Sequence, residues 1–97
     1  HAHDMATQNY FSHQSYDGYK KAGNTFERIR AFHKSSFVNS ENIAAGNSTA
    51  VATFLQWYYS PGHFKNMFNP SSKKVGIGVV YDPSSKYGYY WVFDSAR

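Results

Sequence analysis

Three side chains stand out for the chemistry that their types and settings allow: His13, Glu41 and His63. The chain of 97 residues holds five histidines and six carboxylates, so candidates for acid–base or ligand roles are few. His13 in FSHQSYDG and His63 in WYYSPGHFKN both fall at junctions between elements, in Gly-, Ser- or Pro-containing surroundings where functional groups collect. Glu41 is one of only two glutamates and lies in SENIA among apolar residues that should be buried. A carboxylate buried there needs hydrogen bonds or a cation to stay charged. Two histidines and a carboxylate suit a divalent metal with an open water position. These three are far apart in sequence, however, and no HExxH places ligands on one helix face. A hydrogen-bonded polar cluster that pins a loop is the weightier reading of the same residues.

The remaining candidates have structural explanations. His1 and His3 stand at the start of the chain, and His33 ends a predicted helix, where a cation suits the dipole. His63 itself fits helix grammar: Ser60 can cap a helix, Pro61 suits the first helical position, and His63 then falls at the third. Zero cysteines exclude thiol redox chemistry, a disulfide framework and Cys-based metal sites. No GxSxG, Walker A or GxGxxG is present, and VGIGV has too few glycines for a dinucleotide loop. Ser12, Ser40 and Ser60 are conceivable nucleophiles, but nothing singles one out.

These residues must be positioned by a single domain with one core. Hydrophobic residues make up 41% of the chain and charged ones 16%, the opposite of a disordered balance. The net charge of +4 is scattered rather than gathered into a stripe, which argues against nucleic acid as a partner. No transmembrane run or signal peptide is visible. His1 to Gln8 reads as the end of a helix with Ala2, Met5 and Ala6 on its apolar face and its exit at Asn9. This helix-like opening, without cap or initiator methionine, predicts that the chain begins partway through a longer protein.

Asn24 and Glu27 form a potential capping box for a short helix with Phe26 and Ile29 inward. STAVATFLQWYYS is the clearest helix, capped by Ser48, with Val51, Phe54, Leu55 and Tyr58 at helical spacing and Ala50 and Trp57 broadening the face. A short helix from Pro61 to about Phe68 follows. KKVGIGVVYD and YGYYWVF predict an antiparallel hairpin turning near Pro83. FVNSENIAAG is ambiguous between strand and loop, and is the natural place for a third strand. Gly76 and Gly78 share one face of a strand and predict close packing there, by a helix more readily than by a ligand. Helices followed by a hairpin give an α+β class.

The pieces FSH, ENIAAG, AVATFLQWYYSPGHFKNMF, VGIGVVY and YYWVF, in this order and with Arg28 between the first two, resemble the CAP superfamily (the SCP-like extracellular domain) in its short bacterial type. The resemblance runs across nearly the whole chain. It implies an α-β-α sandwich with a central antiparallel sheet, a domain that usually begins with an earlier helix, and a secreted or surface location. Larger members place two His and two Glu around a cleft that can bind zinc or another divalent cation. By motif, His13 matches the first His, Glu41 the first Glu and His63 the second His, while Ser60 stands where the second Glu would be. Losing that carboxylate implies weak metal binding at most, because a hydroxyl cannot replace its charge. The ending YYWVFDSAR also departs from the family's Tyr-Trp-x-Gln.

The resemblance favours a domain of undefined biochemical activity that binds a protein, lipid or small molecule through this His/Glu-lined cleft, with no catalytic residue assigned. The alternatives are a metal-dependent, peptidase-like hydrolase with Glu41 as base, and a sterol or lipid carrier. The hydrolase meets an objection, since Glu41 cannot easily be ligand and base at once.

Overall fold

The computed structural model of the chain describes residues 1–17, 20–23, 27–28 and 38–97. A three-stranded antiparallel sheet forms the centre, in the order β3 (Val38–Ala45), β5 (Tyr89–Ala96), β4 (Lys74–Tyr81). The ambiguous FVNSENIAAG is therefore a strand from Val38 onward, and the predicted hairpin is β4–β5. A separate small ladder pairs β1 (Ser15–Asp17) with β2 (Lys20–Gly23). Of the predicted Asn24–Phe32 helix, Glu27 and Arg28 are helical; Asn24, Phe26, Ile29 and His33 lie outside the described residues.

Alternation along β5 divides the core into two layers. Tyr90 and Val92 face α1 (Ala2–Gln8), whose Ala2, Met5 and Ala6 bury against them together with Ile43. The opposite face carries Trp91 and Phe93, which pack with Ala44 and with Trp57 of α2 (Ala50–Tyr58). Beyond α2, α3 (Pro61–Met67) adds Met67 to the same side. Helices on both faces of an antiparallel sheet make the α-β-α sandwich of the α+β class. Asn9 ends α1 in the left-handed region (φ 56°), a conformation its short polar side chain tolerates.

Two sequence expectations are corrected. The cap of α2 is Thr49, whose Oγ1 accepts the Ala52 N–H at 3.1 Å, one residue later than Ser48. More substantially, α2 turns Thr53 and Trp57 inward, while Val51, Phe54, Leu55 and Tyr58 are exposed. Helical spacing identifies an apolar stripe but not which stripe meets the sheet. Trp57 decides it: the indole buries the largest side chain on the helix, and its N–H donates to the Ile43 carbonyl at 3.2 Å. The displaced stripe instead joins α3, with Tyr58 in edge contact with Phe64 and Phe68.

Candidate functional site

β3 brings Glu41 to the level where the chain leaving α1 passes. His13 Nδ1 donates to Glu41 Oε1 at 2.9 Å, and the imidazole is half exposed while the carboxylate side chain is 1% exposed. Arg28 closes the other side. One of its terminal nitrogens donates to Glu41 Oε2, and the other donates to the His13 backbone carbonyl at 2.8 Å. The guanidinium fork thus ties the carboxylate and the His13 segment together. Held through Nδ1 by Glu41, the His13 imidazole lines the cleft.

A second acid stands directly across the sheet. Glu41 and Asp94 are register partners on β3 and β5, so both side chains lie on one face. Burial acts to raise the pKa of Glu41, but hydrogen bonds with Asp94, Arg28 and His13 and the Arg28 charge outweigh it and hold it below the ordinary value. Asp94 moves the other way: burial first, then the hydrogen bond with Glu41 and the Glu41 charge, push it up to about 8. Two carboxyl groups beside one arginine keep a proton between them, and Asp94 carries it. Its Oδ1 is buried with no hydrogen-bond partner among the described residues, a position that a neutral carboxyl tolerates far better than a carboxylate.

His63 arrives from the other side of the cleft. At the start of α3 its Nδ1 pairs with Ser60 Oγ at 2.9 Å. Ser60 occupies the N-cap position as expected, yet its hydroxyl makes no cap bond and serves the imidazole instead. The buried amide of Asn42 fixes this end of α3, donating to the His63 carbonyl at 3.0 Å and accepting from Asn66 at 2.9 Å. An open cleft of about 600 Å³ runs between these elements, lined by Phe11, Ser12, His13, Gln14, Ile43, Gln56 and His63.

The structure thus pairs His13 with Glu41, pairs Ser60 with His63, and sets both histidines on one cleft. Among the described residues, no group of three or more His, Cys, Asp or Glu side chains is gathered so that it could hold a metal. Glu41 spends both oxygens on His13 and Arg28, and the guanidinium beside it opposes a divalent cation. That donor set does not fit a resident metal. Arg28, Asp94 and Asn42 were given no role from sequence. A buried glutamate demands a cation, but only the fold shows which arginine answers it.

Helices on either face of a three-stranded antiparallel sheet, with a His–Glu pair at the mouth of an open cleft, define a CAP-type sandwich domain. The family described as "CAP: Cysteine-rich secretory protein family" matches residues 1–95, and the chain belongs to it. It is similar to "Uncharacterized protein YkwD" of Bacillus subtilis, 38% identical over 79% of this chain, and to "Uncharacterized membrane protein YlbC" of the same bacterium, 35% identical over 81%. The matched regions are 28% and 22% of those proteins' own length. No solved structure matches the chain. Despite the family's description, this chain contains no cysteine, so its fold rests on packing and hydrogen bonds. No helix among the described residues is long and apolar enough to cross a membrane.

Proposed function

We propose that the chain is an extracellular binding domain that holds an amide-bearing segment of a partner protein in the cleft between His13 and His63. The extracellular placement follows the secretory character of the family. The observation that supports binding over metal chemistry is that Glu41 is already engaged by His13, Arg28 and Asp94. With His13 and Arg28 on its two oxygens, the carboxylate acts as an orienting group for His13 rather than as a ligand or a general base. The cleft wall then offers Ser12, Gln14, Gln56 and two imidazoles, which exchange hydrogen bonds with neutral polar groups, beside the apolar Phe11 and Ile43. The ligand set His13, Glu41 and His63 would bind zinc only by breaking the Arg28–Glu41 pair, so zinc binding is weak.

Two titrations test this. Isothermal titration with Zn²⁺ near neutral pH should give no saturable heat above that of His63→Ala; a saturable site lost in H13A, E41A and H63A alike would favour the hydrolase reading. Titration of the ¹⁵N-labelled chain with a library of unstructured peptides should give saturable shifts at His13, Gln14, Gln56 and His63. Shifts that map elsewhere, or none at millimolar peptide, would refute cleft binding.

A further inference from the structure

Among the described residues β4 is an edge strand, eight residues long, exposed on its α2/α3 face and packed toward α1 only through Val80. Val75, Ile77, Val79 and Tyr81, pointing to the α2/α3 face, are 50–67% exposed. On the other face, a Cβ built at Gly76 or Gly78 meets nothing within 4 Å, so among the described residues no helix packs closely on those two glycines, while Val80 beside them packs toward α1. An uncapped apolar edge of this length is a template for another strand.

Ladder parity identifies which backbone groups are on offer. Asp82 N–H donates to the Gly88 carbonyl at 2.7 Å, continuing the register in which Tyr81 pairs with Tyr89. Even-numbered residues of β4 therefore direct their N–H and C=O groups toward β5. Val75, Ile77, Val79 and Tyr81 direct theirs outward.

We propose that β4 is a self-association edge, at which a second copy of this chain adds its own β4 antiparallel about a two-fold axis through Gly78. A two-fold perpendicular to the sheet brings together only residues whose numbers have the same parity, because directly opposed side chains share a face. Centred on Gly78, it sets Ile77 opposite Val79 of the second copy and Val75 opposite Tyr81, all outward hydrogen-bonding positions. It also sets Lys74 opposite Asp82, twice over, as the outermost pairs. Centring on Ile77 or Val79 instead places Lys74 opposite Val80 or Ser84 and loses both opposite-charge pairs. The Gly78 register therefore combines a complete backbone ladder, a continuous apolar stripe on the α2/α3 face and charge complementarity at both ends. The glycines then lie at the junction, where Gly78 faces Gly78 with no side chain between the two copies. The exposed α2/α3 face of β4 keeps that helical layer of both copies clear of the joint.

Sedimentation velocity of the 97-residue chain from micromolar to millimolar concentration should reveal a monomer–dimer equilibrium. Val79→Pro removes an outward N–H while sparing the ladder to β5. It should leave circular dichroism and the thermal midpoint near wild type and abolish the dimer. Lys74→Asp and Asp82→Lys should each weaken self-association roughly tenfold, since every homodimer then opposes like charges twice. Mixed together, those two variants restore both opposite-charge pairs and should associate as well as wild type. A chain that stays monomeric throughout, a dimer unmoved by folded V79P, or a mixture no tighter than its components would overturn the proposal.

Discussion

Asp94→Asn tests the carboxyl pair at the floor of the site. In the folded chain, burial and the neighbouring Glu41 carboxylate raise the pKa of Asp94 from an ordinary 3.8 to about 8. An unfolded chain has released that proton by about pH 5. The folded state therefore binds the extra proton between about pH 5 and about pH 8, and stability falls as pH rises through that window. At about 1.4 kcal/mol per pH unit the formal loss is ~4 kcal/mol. Asp94 is partly exposed, and its solvent contact screens the interaction, so about 2 kcal/mol is the working figure. Glu41, held below its ordinary 4.5, acts with the opposite sign: its contribution is present above that value and is lost as pH falls below it, outside the window. Asparagine cannot ionise, yet its amide still donates to the Glu41 carboxylate. Urea unfolding followed by tryptophan fluorescence, at the two ends of the window, measures the effect. Wild type should lose about 2 kcal/mol on going from the acidic to the alkaline end, and D94N less than half of that. Equal pH slopes for the two proteins would refute a proton held at Asp94.

Two further substitutions examine the supports of the cleft. Asn42→Ala removes the fully buried amide that binds the His63 carbonyl and Asn66, and should cost about 2 kcal/mol in urea unfolding. It should also accelerate amide exchange across α3 and leave α1 unchanged; uniform acceleration would contradict a local anchor. Trp57→Phe keeps a ring against Phe93 but strands the Ile43 carbonyl, so thermal and urea midpoints should fall by the equivalent of about 1–2 kcal/mol. An unchanged midpoint would show that the indole hydrogen bond is dispensable.

Much of this arrangement is written locally. The buried face of α1 and the β4–β5 hairpin follow from period and turn residues that act within a few positions of one another, whereas SENIA is ambiguous locally and is suggested as a strand only by the hairpin's need for a third. His13 and His63 come to one cleft, and Glu41 pairs with His13. What escapes local reading is pairing at a distance. Nothing near Glu41 in sequence announces that Arg28 will neutralise it or that Asp94 will hold a proton beside it, because strand register creates the Asp94 contact and a helical segment brings in Arg28. The inward face of α2 escapes for a related reason: two apolar stripes were available, and the one carrying Trp57 won on buried area and an indole hydrogen bond. Ser60 shows the same limit at small scale. The N-cap position was legible, while the choice of His63 over a backbone N–H depended on where the imidazole came to rest.

The order of strands has a consequence for how the molecule comes into being. β5, the last element in sequence, is the middle strand, and neither β3 nor β4 touches the other without it. A growing chain can form its helices early, yet it holds two unmatched strands and both halves of the core in suspense until Tyr89–Ala96 arrives. Sheet formation is thus a single late closure joining residues some fifty positions apart on one side, as in Glu41 with Asp94, and it belongs to the slow, non-local class of folding reactions. Before that closure the Glu41 carboxylate has neither its strand partner nor its proton-bearing neighbour. The cleft and the fold are therefore completed in the same event.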